Sequence, residues 1–219
     1  CDLGVDWLAL SFVQTAKDII EAKKLIKGRT SVISKIEKPS AVTDFEAILA
    51  NSDGIMIARG DLGVEMPVQA IPPIQKRLVM ACRQFAKPVI VATQMLDSMV
   101  DSPMPTRAEV SDVANAIYEG ADAVMLSAES AAGAFPIEAV KTMDSIAIEI
   151  ENDPTYRKIM DNSRFRQKET VADAITVAAR EIAETTPVTA ICCFTHSGAT
   201  AKLVSGERPR VPIIALTPL

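Results

Sequence analysis

Strand-like and helix-like segments alternate five times in the first 152 residues, and that rhythm restricts the fold more than any single motif. Strand-like runs occupy residues 6–13, 31–36, 54–58, 88–93 and 123–127. Most are continuously apolar, as strands covered on both faces must be. Each is followed by residues at helical spacing, such as Ile19, Ile20, Ala22, Leu25 and Ile26 after the first run. Regular strand–helix alternation predicts a parallel β/α fold. Continuous apolar strands suit a closed barrel and a doubly wound open sheet equally.

The punctuation agrees with the rhythm. Thr15 with Asp18, and Thr106 with Glu109, have capping-box spacing at two helix starts. Gly28 and Gly120 stand where helices stop. Pro39, Pro72 and Pro136 suit first helical turns. Residues 94–105, rich in Met, Asp and Pro, read as a long loop, with Met95, Met99 and Met104 as packing residues.

Parallel strands joined by helices bring their C-terminal ends to one face. The run 31–36 ends around Lys35 and Glu37, and the run 54–58 leads into Arg59, Gly60 and Asp61. Lys35, Glu37, Arg59 and Asp61 are therefore expected at one mouth. Two carboxylates there can hold a hard divalent cation, and a lysine can neutralise a substrate anion.

Composition removes other classes. The net charge of −5, with acids and bases mixed along the chain, gives no support for a nucleic-acid-binding surface. No apolar run approaches the ~20 residues that span a bilayer, and no signal peptide is seen, so a cytoplasmic protein is expected. Cys1, Cys82, Cys192 and Cys193 have no C-x-x-C spacing and read as reduced thiols. The chain has no initiator methionine and opens in what reads as a helix end before Gly4, as a piece of a longer polypeptide does.

After Asp153-Pro154 the texture turns polar and basic, and residues 153–168 are read as a linker. An Ala-rich helix follows over 171–185, then strands at 188–194 and 213–216 with a short helix between them. That is the beginning of a second, smaller α/β domain over 169–219.

Three ordered motifs carry a family resemblance. The first is Ser34-Lys35-Ile36-Glu37 followed by Ala58-Arg59-Gly60-Asp61-Leu62-Gly63-Val64-Glu65. The second is Val91-Ala92-Thr93-Gln94-Met95-Leu96 followed by Pro105-Thr106-Arg107-Ala108-Glu109. The third is Val124-Met125-Leu126-Ser127-Ala128-Glu129-Ser130-Ala131. Together they resemble the pyruvate kinase family from end to end. The turn 195–200 with Arg208-Pro209 and Pro212-Ile213-Ile214-Ala215 resembles the start of that family's C-terminal domain.

The resemblance implies a partial TIM (β/α)8 barrel, strands four to eight, over residues 1–152. The beginning of a three-layer α/β C-terminal regulatory domain would follow. It implies phosphoryl transfer from phosphoenolpyruvate to ADP, giving ATP and pyruvate, with Mg2+ or Mn2+ and with K+. The potassium ligands, the first three strands and the lid belong to the family's upstream region, so the 219-residue chain alone is expected to be inactive. In this comparison Lys35 stabilises the moving phosphoryl group, and Glu37 and Asp61 hold the divalent metal. The backbone around Arg59 and Gly60 receives the substrate carboxylate. Arg59 itself either contacts substrate or holds its loop by an ion pair. Thr93 contacts substrate and takes part in protonating the enolate carbon, with Ser127 and Glu129 as secondary candidates for the same water network. Thr195, Ser197, Gly198 and Thr200 resemble a phosphate subsite for a sugar-phosphate effector, and a homotetramer is the implied assembly.

Two other readings stay open at this level. A metal-dependent barrel aldolase or lyase could also handle a pyruvate enolate between Glu and Asp. A non-catalytic assembly or effector-binding module could keep the motifs without turnover.

Overall fold

A computed structural model describes residues 3–162 and 170–218. The chain divides into two compact units, residues 1–157 and 158–219.

The first unit is built on a five-stranded parallel sheet. Its strands are β1 (Trp7–Leu10), β2 (Ser31–Ile36), β3 (Gly54–Ala58), β4 (Val89–Ala92) and β5 (Ala123–Met125). Each strand pairs with the next in sequence, so the order is 1-2-3-4-5. A doubly wound sheet would reverse direction at a switch point. Adding every strand on the same side is how a barrel is wound, and the strand order thus separates the two architectures that hydrophobicity left open.

Helices follow each strand: α1 (Ala16–Ile26), α2 (Pro39–Thr43), α3 (Phe45–Asn51), α4 (Arg59–Glu65), α5 (Ile71–Gln84), α6 (Arg107–Glu119), α7 (Ala128–Ala131) and α8 (Pro136–Asn152). All five residues of β3 are buried. Ile55, Ile57, Val89, Val91 and Ala92 of the strands, and Ile48, Leu49, Leu78 and Val79 of the helix layer, are all fully buried. Ser34 and Ser52 form a buried polar pair, their hydroxyls 2.6 Å apart.

The helix signals act as expected. The Asp18 carboxylate accepts the Thr15 N–H at 2.9 Å, and Lys27 ends α1 in the left-handed region before Gly28. Thr106 and Glu109 close a reciprocal capping box on α6, and Gly120 ends it at φ +94°.

Three expectations are corrected. Residues 6–13 were expected to be a buried strand; only Trp7–Leu10 is strand, and Trp7 and Phe12 are 43% and 61% exposed. The strand lies at the sheet edge, and apolar composition does not distinguish an edge from a centre. The helix expected to open at Pro39 is two, because the chain breaks at Asp44, whose carboxylate accepts the Ala16 N–H. Met104 is 70% exposed, whereas Met95 and Met99 are fully buried as expected of packing residues.

Helix α9 (Pro154–Asn162) occupies the first part of the segment read as a linker, and residues 163–169 lie outside the described residues. The second unit holds α10 (Val171–Thr185) and a parallel βαβ unit of β6 (Ile191–Phe194), α11 (Ala199–Gly206) and β7 (Ile213–Leu216). Arg180, 2% exposed, pairs with Asp161. Cys193 is buried and Cys192 exposed, as alternation along a strand requires.

Candidate active site

Register decides which side chains share the C-terminal end of the sheet. Ile36 pairs with Ile57, Ala58 with Ala92, and Ala92 with Met125. The residues just beyond those pairs are Glu37, Arg59 to Asp61, Thr93 and Ser127. These residues therefore stand at one end of the sheet, and side-chain contacts tie the neighbouring strand ends together.

Glu37 is buried, 1% exposed. Its Oε2 accepts the Phe12 N–H at 2.7 Å, and its Oε1 lies 2.5 Å from Lys35 Nζ. Lys35 also donates to Ser11 Oγ at 3.1 Å. The loop after β1 is thereby fastened to the end of β2. A buried carboxylate demands such partners, because an uncompensated charge away from water is costly. Lys38, in the next turn, pairs with Glu65 at the far end of α4 and lies 5.5 Å from the Phe12 ring centroid.

Beyond β3 the chain enters α4 directly, where sequence suggested a strand-end loop. Two glycines in seven residues make a poor helix former, so tertiary contacts must hold it. Gly60 N–H donates to Thr93 Oγ1 at 2.7 Å. A Cβ on Gly60 would sit 3.3 Å from that hydroxyl oxygen. The absent side chain thus lets β4 come close. Asp61 lies exposed in the first turn of α4.

Thr93 donates to the Ala92 carbonyl at 2.6 Å while accepting from Gly60. Its backbone is unusual. Thr93 has φ +71° and Gln94 φ +53°, two consecutive non-glycine residues in the left-handed region. Each such residue costs about 1–3 kcal/mol and persists only where surroundings impose it.

Arg59 is hydrogen-bonded to this turn, and sequence reasoning missed its partners. Its side chain is 10% exposed. One terminal nitrogen meets both Asp112 carboxylate oxygens, at 2.6 and 2.8 Å, and donates to Gln75 Oε1 at 3.3 Å. The other donates to the Thr93 and Gln94 carbonyls, at 2.8 and 3.3 Å. Asp112 is 53 residues away in sequence, on α6. Only the outward position of an acid on an otherwise amphipathic helix could have hinted at it. Gln75 passes the network on to Glu119 at 2.8 Å. Burial raises the pKa of Glu119.

Ser127 and Glu129 close the far side. Glu129 is 1% exposed, and its two oxygens accept the N–H groups of Ser127 at 2.7 Å and Leu96 at 3.3 Å. It joins the loop after β4 to the end of β5.

Among the described residues, no group of three or more His, Cys, Asp or Glu side chains could hold a metal ion. Two carboxylates suffice for Mg2+, which keeps waters and takes remaining ligands from substrate phosphates. The donor chemistry of Glu37 and Asp61 fits such an ion, and the Lys35 ammonium already occupies a cation position on Glu37. A separate open cavity of about 580 Å3, lined by Lys23, Arg29 and Asp53, lies at the opposite ends of the strands and away from these groups.

In the second unit, Thr195 follows β6, 8% exposed, with its N–H donated to Leu216 O at 3.0 Å. Ser197 and Thr200 are exposed, and Gly198, at φ +80°, is the N-cap of α11.

Matches to known proteins follow the same division. The family model described as pyruvate kinase, barrel domain, matches residues 1–140. The chain belongs to the pyruvate kinase family. The model described as pyruvate kinase, alpha/beta domain, matches residues 173–219. A pyruvate kinase of Methylorubrum extorquens is 54% identical over 215 residues, covering 98% of this chain and 45% of that protein. One from Agrobacterium vitis is 57% identical over 217 residues, covering 99% and 46%. A crystal structure of a pyruvate kinase from Cryptosporidium parvum superposes with a TM-score of 0.91 at 41% identity, covering 98% of this chain and 46% of that one. The chain spans just under half the length of these relatives. No described helix is long and apolar enough to cross a membrane.

Proposed function

We propose that this chain supplies one side of the catalytic mouth of a pyruvate kinase, which transfers the phosphoryl group of phosphoenolpyruvate to ADP. The observation that carries this reading is the tying of successive strand ends. Lys35 near the end of β2 with Glu37 just beyond it, Gly60 and Asp61 beyond β3, and Thr93 beyond β4 share one end of the sheet.

Phosphoryl transfer depends on positioning and charge neutralisation. Lys35, held between Ser11 and Glu37, is assigned to the charge on the transferred phosphoryl group. Glu37 and Asp61 are assigned to the divalent cation, Mg2+ or Mn2+. When bound, that ion would neutralise phosphate oxygens and polarise the enolate oxygen. An ion on the Glu37 oxygen that Lys35 meets here would compete with the ammonium for it. The start of α4 at Arg59–Asp61 offers backbone N–H groups to the substrate carboxylate, although Gly60 N–H is held by Thr93 here. Thr93 orients substrate and the water that protonates the enolate carbon; a hydroxyl is too weak an acid to act alone. Ser127 and Glu129 support that side of the mouth. We assign no potassium ligand on this chain. Sugar-phosphate control at Thr195, Ser197, Gly198 and Thr200, tetrameric assembly and a cytoplasmic location extend the same proposal.

The test is a chimera in which this chain replaces the matching part of the Methylorubrum extorquens protein. It should form ATP from phosphoenolpyruvate and ADP with Mg2+ and K+. Lys35→Ala or the pair Glu37→Gln and Asp61→Asn should lower turnover at least ~100-fold. Aldol cleavage without ATP formation would favour a barrel aldolase. A folded chimera with neither activity would favour a non-catalytic module.

A further inference from the structure

We propose that Arg59 is a positioning residue which, braced by Asp112, holds the left-handed Thr93–Gln94 turn and so fixes the Thr93 hydroxyl at the mouth. This rests on the proposed function for its catalytic meaning, but its geometry stands without it. Three observations meet here. Thr93 and Gln94 both sit at positive φ, and neither is glycine. Their two carbonyls point at one guanidinium nitrogen, which no ordinary turn residue supplies. The other nitrogen is anchored on the Asp112 carboxylate, so the guanidinium cannot follow the turn if the turn relaxes. A planar fork bridging a carboxylate and two carbonyls is specific to arginine.

The consequence is felt at Gly60. Its N–H ends on Thr93 Oγ1, and the same hydroxyl ends on Ala92 O. If the turn relaxes to negative φ, the Thr93 side chain leaves this position and the Gly60 N–H loses its acceptor. Arg59 therefore does its work through Thr93. Its buried terminal nitrogens are committed to protein acceptors, which separates this role from direct substrate contact.

Amide hydrogen exchange on the 219-residue chain tests the geometry. Arg59→Gln should speed exchange at the Gly60 N–H by roughly tenfold or more, with the Ile57 amide in β3 changed less than about twofold. Arg59→Lys should not restore protection, because an ammonium cannot make the same bridge. Adding Gln94→Gly to Arg59→Gln should recover about fivefold, since glycine adopts positive φ freely. If Arg59→Gln unfolds the chain, Asp112→Asn gives the same reading at smaller amplitude. Unchanged Gly60 exchange, or full protection with lysine, overturns the proposal.

Turnover of the chimera reads the catalytic side. Arg59→Gln should lower kcat about 10- to 100-fold while the KM for phosphoenolpyruvate moves less than about threefold. A KM rise with kcat unchanged would mean direct substrate contact and overturn the assignment. A folded parent chimera without turnover defeats the functional reading alone, because Gly60 exchange still judges Arg59.

Discussion

Removing the Glu37 charge should destabilise the chain even though no ligand is present. Glu37 is 1% exposed and has two partners, the Phe12 N–H at 2.7 Å and Lys35 Nζ at 2.5 Å. Glu37→Gln keeps the size and an oxygen for Phe12 but leaves Lys35 without its counter-charge. Breaking a fully buried pair costs about 3–5 kcal/mol. Lys35 is 24% exposed and keeps Ser11, so water recovers part of this. That leaves a loss of about 2 kcal/mol for Gln. Glu37→Ala also strands the Phe12 N–H and opens a void, for about 3–4 kcal/mol. Urea denaturation of the 219-residue chain, followed by circular dichroism, gives both values. High salt should lower them only modestly, since Glu37 is buried while the Lys35 ammonium reaches solvent. A Gln variant within ~0.5 kcal/mol of the parent would refute the idea that Lys35 and Glu37 hold each other in the mouth.

Three further outcomes follow. Glu109 is depressed to about 2: burial pushes it up, but hydrogen bonds from Ser98 and Thr106 outweigh that. Its contribution is therefore present above the ordinary carboxylate range and lost as pH falls from about 4.5 toward 2. Glu109→Ala should cost about 1 kcal/mol at pH 7 and nothing extra below pH 2, by thermal melts across pH. Gly133→Ala should cost about 2–3 kcal/mol in the same melts, because its Cβ would lie 2.6 Å from the Glu129 carbonyl and 3.1 Å from Val100 Cα. Maleimide with peptide mapping should label exposed Cys192 quickly and leave Cys82 unmodified, since burial pushes its thiol pKa well up and hides it.

Much of the framework was legible in the residues. Strands Ser31–Ile36 and Gly54–Ala58 fell where β-branched runs meet turn signals. Helix Val171–Thr185 followed from Ala-rich spacing. That Lys35, Glu37, Arg59 and Asp61 stand at one end of the sheet followed from parallel topology alone. What could not be read were features decided by tertiary contact. Arg59–Glu65 has weak helix propensity, yet contacts at both ends, Arg59–Asp112 and Lys38–Glu65, make it a helix. Nothing in Thr93-Gln94 announces positive φ, because the usual glycine signal is absent. The exposure of Phe12 depends on β1 being an edge strand, a property of the sheet rather than of the segment.

Anomalous diffraction from the chimera crystallised with Mn2+ would show whether Glu37 and Asp61 share one cation. A manganese peak is expected within coordination distance of both Glu37 and Asp61, with the Lys35 ammonium moved off Glu37. A peak that touches neither carboxylate, or only one with the Lys35–Glu37 pair intact, would contradict the shared site.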